Sequence, residues 1–241
     1  MERKLKTRTI IQLGAILFVA FALKYHYSIA TPNGLRWILA PTTFMVELFT
    51  RTGFRFEPFA GYLSDDRTFL IAASCAGVNF LIIAFLMLNA GQLLRERTLG
   101  WKYIAGSILI AYLTTLIANT FRIVIALQMQ RYDLRIGSFS EEEIHRLEGI
   151  VVYFGFLLVL FFVSEKIAPR TRPHPSTLFR RSLIPLAIYY AATLGVPLAG
   201  GAYRDSAFWQ HSLFVVITPL IVALPIACLA LIVSPPPEEN N

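Results

Sequence analysis

Charge is what this chain has least of. Only 15% of its 241 residues are Asp, Glu, Lys or Arg, against about 25% in an ordinary soluble domain, too few to cover a water-facing globule of this size. Cysteine is almost absent as well, at two residues, which excludes a small secreted fold stapled by disulfides. Those two, Cys75 and Cys228, are not expected to pair. Cys228 falls about 16 residues into the last apolar run, roughly 24 Å from Cys75 in height at 1.5 Å per residue, whereas a disulfide needs Cα atoms within about 7 Å. No HExxH, CxxC, P-loop or GxGxxG spacing occurs, so no metal and no nucleotide cofactor is indicated. Internal repeats are missing too, and low complexity is confined to the tail Pro235–Asn241.

What is present is apolar sequence. Residues of the AVILMFWYC set make up 56% of the chain, and mean hydropathy is +0.58. Six runs approach or exceed the length needed to cross a ~30 Å hydrocarbon core: Thr9–Leu23, Cys75–Leu94, Tyr103–Phe121 with an extension to Met129, Leu147–Val163, Leu183–Leu198 and Ser212–Val233. The pattern predicts an all-α polytopic membrane protein of six spans, a single integral unit over 1–241. The first run has a basic start like a signal peptide, but Lys24-Tyr25-His26-Tyr27 follows it with no clean small-x-small site, so it reads as an uncleaved anchor.

Basic residues set direction. With the N-terminus inside, segments 1–8, 95–102, 164–181 and 234–241 carry Lys and Arg about twice as densely as segments 24–67, 130–146 and 200–211. The expected location is therefore the plasma membrane with both termini cytoplasmic. The net charge of +7 and pI of 9.6, which in a soluble protein would suggest nucleic acid, become a topology signal, and no nucleic-acid partner is expected. The proline-bearing inner linker Lys166–Arg181 divides a four-span core over 10–165 from a C-terminal pair over 182–233. Between the first two spans, Leu35–Thr50 reads as an interfacial or re-entrant helix interrupted by Pro41. The alternating residues from Phe54 to Ala73 read as a small outer β-hairpin.

Three polar residues stand out by position. Cys75 opens the second run, after Ser74 as a candidate N-cap and before Ala76 and Gly77. A thiol at a helix N-terminus faces unpaired N–H groups and the positive dipole end, which favour thiolate; the plainer reading is a small inert hydrophobe. Arg122 lies in apolar sequence near the outer end of the third run, where a central charge costs at least ~2.5–3.5 kcal/mol. It either meets a polar partner inside the bundle or snorkels to outer headgroups. Asn119, three residues earlier, shares its face and is placed to hold the guanidinium. Ser140 followed by Glu141, Glu142 and Glu143 forms a capping box, so a helix begins near Glu141. His145 then sits one turn in, with Glu148 to orient the imidazole and Gly149 to let a neighbouring helix or substrate approach. A solvated interfacial histidine is the alternative. His26 and His211 also fall on the outer side, and periodicity does not choose among the three, while His174 is on the inner side.

The topology came from charge and run length alone, yet it brings all three residues to one outer boundary. Thiol, imidazole and guanidinium together are the parts of a cysteine acyl-transfer site: nucleophile, proton shuttle and stabiliser of thiolate or oxyanion.

At these residues the sequence resembles the exosortase/archaeosortase family of multi-pass membrane proteins. Ser74-Cys75-Ala76-Gly77 is similar to the family's Cys-x-Gly, Asn119-Thr120-Phe121-Arg122 to its Asn-x-x-Arg, and His145-Arg146-Leu147-Glu148-Gly149 to its His-x-x-x-Gly. The resemblance covers roughly residues 10–165, and Ala73–Phe80 is most similar to the exosortase K subtype. Ala76 departs from the Ser that many members carry after the cysteine. The resemblance implies a sortase-like cysteine peptidase or transpeptidase. Cys75 would form the thioacyl intermediate, His145 would be general acid/base and Arg122 the electrostatic stabiliser, with Asn119, Glu148, Gly77 and Gly149 in support. Its implied substrates are exported proteins with a C-terminal sorting signal, made of a short motif, a transmembrane helix and a basic cluster. They are cut on the outer side and passed to a lipid, a glycan or water. The competing reading is a non-enzymatic transporter or envelope assembly subunit, with Arg122 as a substrate counter-charge and Cys75 passive. An aspartyl intramembrane protease is disfavoured, because Asp65, Asp66, Asp133 and Asp205 all fall in outer loops.

Overall fold

A computed structural model describes residues 2–96, 99–132, 140–167 and 175–232. Nearly every apolar run is helical, as hydrocarbon requires, because a helix satisfies its own backbone N–H and C=O groups. The long helices are α1 (Glu2–Ile29), α3 (Val78–Glu96), α4 (Trp101–Arg131) and α5 (Glu141–Ile167). Within them, four segments are long and apolar enough to cross a membrane: Thr7–Ile29, Ala73–Leu94, Trp101–Arg131 and Glu143–Ile167. Shorter apolar helical stretches follow at Leu183–Ala199 and His211–Ala223. These features mark a multi-pass membrane protein.

The fifth run is not one regular helix. Helix α6 (Pro175–Tyr190) passes into a π turn over Ala191–Gly195 and then the short α7 (Val196–Ala199), before α8 (Ser206–Ile232). Pro197 has no N–H to return to the Thr193 carbonyl, and Gly195 holds the helix only weakly, so the regular ladder gives way there. The proposed linker residues Pro169 and Pro173 lie outside the described residues, as do Asp133 and the tail from 233.

Helix α3 is the centre of the bundle, packed by α1, α4, α5 and α6. Leu81, Phe85 and Met87 of α3 and Phe154, Leu157 and Phe161 of α5 are all but fully enclosed. By contrast Leu17, Phe18 and Phe21 of α1 are each more than three-fifths exposed, an apolar face that suits hydrocarbon. Polar groups inside the bundle are tied down. Asn89 donates to the Phe85 carbonyl and to Ser107 Oγ, both at 2.8 Å. The enclosed Gln12 amide donates to the Leu99 carbonyl and accepts from its N–H, joining α1 to the start of α4.

Between α1 and α3, helix α2 (Arg36–Thr50) occupies the stretch read as interfacial. Its Pro41 cannot bond the Trp37 carbonyl, and Tyr112 Oη of α4 donates to that freed oxygen at 2.7 Å instead. An antiparallel sheet follows, β1 (Phe54–Glu57), β2 (Gly61–Ser64) and β3 (Leu70–Ile71), in the order β1-β2-β3. Its register pairs Phe54 with Ser64, and Tyr62 with Ile71. Arg131 Nη2 donates to Thr52 Oγ1 at 2.9 Å and Gln130 Nε2 to the Thr68 carbonyl at 3.1 Å, fastening this region to the end of α4. Strands β1 and β2 pair as antiparallel neighbours with β3 added beside β2, and the chain leaves β3 directly into the segment that bears Cys75.

Candidate active site

Residues Ala73–Ala76 form one 3-10 turn, and α3 starts only at Val78. Ser74 is therefore inside that turn and does not cap α3, contrary to the expectation from sequence. Gly77 causes the break. Its φ is 70°, and a Cβ there would lie 3.2 Å from Thr115 Cγ2 and 3.3 Å from Asn119 Cγ, so a left-handed residue without a side chain is what lets the turn settle against α4. Asn119, fully buried, seals the junction by donating through Nδ2 to the Cys75 carbonyl at 2.5 Å.

From Asn119 a chain of polar contacts runs between α4 and α5. Tyr153 Oη donates to Asn119 Oδ1 at 2.7 Å, and Arg122 Nη1 donates to Tyr153 Oη at 3.4 Å. Arg122 Nη2 and His145 Nε2 are 2.6 Å apart, and His145 Nδ1 lies 3.4 Å from Glu148 Oε2. Asn119 thus holds the guanidinium through Tyr153 rather than directly, a correction to the same-face reading. Gly149 is the close approach anticipated from its size: a Cβ there would come within 3.3 Å of Arg122 Nε.

A guanidinium only donates, so His145 Nε2 must be the acceptor and its ring proton sits on Nδ1, facing Glu148. Glu148 is largely buried and within electrostatic reach of Arg122, so the buried cation has an anion nearby. Among the described residues, two polar atoms of this network remain without partners, Arg122 Nε and Glu148 Oε1. An unmade hydrogen bond at a buried group costs about 1–3 kcal/mol. The guanidinium therefore keeps one donor, Nε, uncommitted.

These groups border a cleft of about 280 Å³ lined by Ser74, Gly77, Arg122, His145, Gly149 and Tyr153, with Tyr189 and Thr193 on the far wall. The neighbours Ser74 and Gly77 line the cleft, while Cys75 itself is half-buried and packs toward the cluster of α2 and the sheet. Its side chain is close enough to Arg122 and Tyr27 for their charges to interact. Among the described residues its sulfur has no hydrogen-bond partner.

The structure brings Cys75, Asn119, Arg122, His145, Glu148, Gly77 and Gly149 together. It also separates His145 from the other two histidines that the sequence left open: His26 accepts from Trp37 Nε1 at 3.4 Å, and His211 lines a different groove. The side chain of Cys228 lies outside the described residues. Tyr153 escaped the sequence reading, although it follows His145 and Gly149 at steps of four on one helix face. Tyr189 and Thr193 come from the C-terminal pair, which packs on α3 and α5 and completes the cleft. The chain matches no known family, no curated protein and no solved structure.

Proposed function

We propose that the protein is a membrane-embedded cysteine peptidase or transpeptidase of the exosortase type. In this reading it crosses the plasma membrane six times with both termini cytoplasmic, and its α2–sheet segment and cleft lie on the outer side. It acts on exported proteins that carry a C-terminal sorting signal. The observation that carries the proposal is the convergence of three separate segments, the Cys75 turn, α4 and α5, around one cleft, with Arg122 and His145 2.6 Å apart.

In the reaction, substrate entering the cleft draws Arg122 off His145 Nε2, which takes the Cys75 proton. The thiolate attacks the scissile carbonyl, and the oxyanion is held by guanidinium N–H groups, Nε among them. Collapse forms the thioester, while His145 returns its proton to the leaving amine. Water or an acceptor amine or hydroxyl then gives a proton to His145, attacks the thioester and releases Cys75 as thiolate, which recovers that proton. Glu148 holds the imidazole in the required tautomer. Asn119 and Tyr153 position the turn and the guanidinium.

The test uses intact cells. Cys75→Ala should abolish processing of exported single-span proteins, His145→Ala should slow it about 10²–10⁴-fold and Arg122→Ala about 10²–10³-fold. A membrane-impermeant thiol reagent should label Cys75 from outside. Undiminished processing in Cys75→Ala overturns the enzyme reading in favour of a transporter or assembly role. Labelling only from the cytoplasmic side overturns the topology and the mechanism together.

A further inference from the structure

A second hollow, of about 720 Å³, opens beside the cleft. Its floor is α3, one lip is α1 with Leu17 and Phe21, and the other is the π turn and α7 with Ala192 and Val196. The two hollows adjoin, since Asn79, Ile83 and Thr193 line both. The groove follows α3 from Asn79 down to Leu93, about 21 Å at 1.5 Å per residue. One leaflet of a ~30 Å core is about 15 Å deep, so the groove passes the bilayer midplane.

We infer that this groove receives the transmembrane helix of the substrate, laid along α3 so that the segment above it reaches Cys75. The inference rests on the peptidase reading and adds where the helix docks and what selects it. Three observations favour a helix over a lipid tail. The groove is longer than one leaflet, whereas a phospholipid chain occupies one. Ala90 and Ala192 on its walls allow a helix backbone to come close. Asn89 lines it about 15 Å below Asn79, and its Oδ1 is buried with no hydrogen-bond partner among the described residues. That oxygen has use for a hydroxyl or amide donor, which a helix side chain supplies and an acyl chain does not. The selected substrate helix thus carries Ser, Thr, Asn or Gln roughly ten residues below its outer end.

The test uses Cys75 as a chemical reporter in protein reconstituted in lipid nanodiscs. The probe is a synthetic Leu/Ala helix of twenty-two residues with one Ser at its tenth position, four C-terminal Lys and a chloroacetamide on a short N-terminal extension. Alkylation joins the Cys75 sulfur to the probe carbon, expels chloride and releases the thiol proton. Docking should label Cys75 at least about tenfold faster than a soluble chloroacetamide, through effective concentration. Ala192→Trp, which fills the groove, should remove that advantage while leaving the rate with the soluble reagent unchanged, which also shows that the variant is folded. Asn89→Leu should erase the preference for Ser over Leu at the tenth position. An advantage that survives Ala192→Trp overturns the proposal, as does an equal, Trp-sensitive advantage for a phospholipid-linked chloroacetamide. Because the readout needs no turnover, normal processing by Cys75→Ala would sink the peptidase reading without altering these rates.

Discussion

Replacing Gly149 by Ala should make the protein more stable and less active. Gly149 lies inside α5, where Gly is worse than Ala by roughly 0.5–1 kcal/mol because its backbone loses more freedom on folding. That gain should raise the melting temperature by about 1–4 °C in a chain of this size. The added methyl, however, would sit 3.3 Å from Arg122 Nε and 3.9 Å from Cδ and Cζ, so the guanidinium must retreat by a few tenths of an ångström. A 1 Å misplacement at a reacting centre costs about 10²-fold; a third to a half of that shift scales to roughly five- to tenfold, or about 1–1.4 kcal/mol in the barrier. The measurement is paired: thermal unfolding of the purified protein in detergent, and the initial rate of processing of a tagged substrate. A rate within twofold of native would show that the position of Arg122 does not matter to the reaction. A lower melting temperature would show that the glycine serves the α5 backbone rather than the cleft.

Tyr153→Phe keeps the ring stacked on Phe80, whose centroid is 5.0 Å away. It removes the hydrogen bonds to Asn119 and from Arg122, so unfolding should become easier by about 1–3 kcal/mol and processing should fall, with a larger effect on kcat than on KM. Gln12→Leu should destabilise by a similar ~1–3 kcal/mol, since it strips both partners from Leu99 in a buried setting, while leaving Cys75 alkylation by a soluble reagent unchanged in the folded fraction. Hydrogen bonds from Ser64 Oγ, and from the N–H and Oγ1 of Thr68, hold the Asp66 carboxyl below its ordinary value of 3.8. A depressed carboxyl stabilises the fold above its unfolded value and loses that contribution as pH falls through the folded one, so the sheet turn should loosen only below about pH 3.8. Ser64→Ala should move the Asp66 titration upward, as read by carboxyl NMR; an unmoved titration would discount the hydrogen bonds as its cause.

The long helices were legible because membrane spans are written in local composition. The apolar runs starting near Thr9, Cys75, Tyr103 and Leu147 each became a long helix, and Ser140 with Glu143 marked the start of α5 through a capping contact only three residues long. The boundary at Cys75 was misread for an equally local reason. Ser74 has the chemistry of an N-cap, but Gly77 meets Thr115 and Asn119 of another helix, and that contact is invisible along the chain. The break after Tyr190 was missed because the run stays apolar straight through it, although Gly195 and Pro197 were there to be weighed.

Composition and spacing by themselves determined that this is a multi-pass helical chain. They also raised Cys75, Arg122 and His145 as the residues to watch, because period, hydropathy and residue chemistry depend on near neighbours only. Tertiary structure alone decided the rest. It set His145, rather than His26 or His211, beside Arg122, made Tyr153 the link between Asn119 and Arg122, and brought Tyr189 and Thr193 from the C-terminal pair to the cleft. It also set a long groove along α3 beside that cleft. These outcomes depend on which helix faces pack together. Apolar helices that are uniform around their circumference carry little record of that choice, so it emerges only when close packing and the pairing of buried polar groups are satisfied all at once.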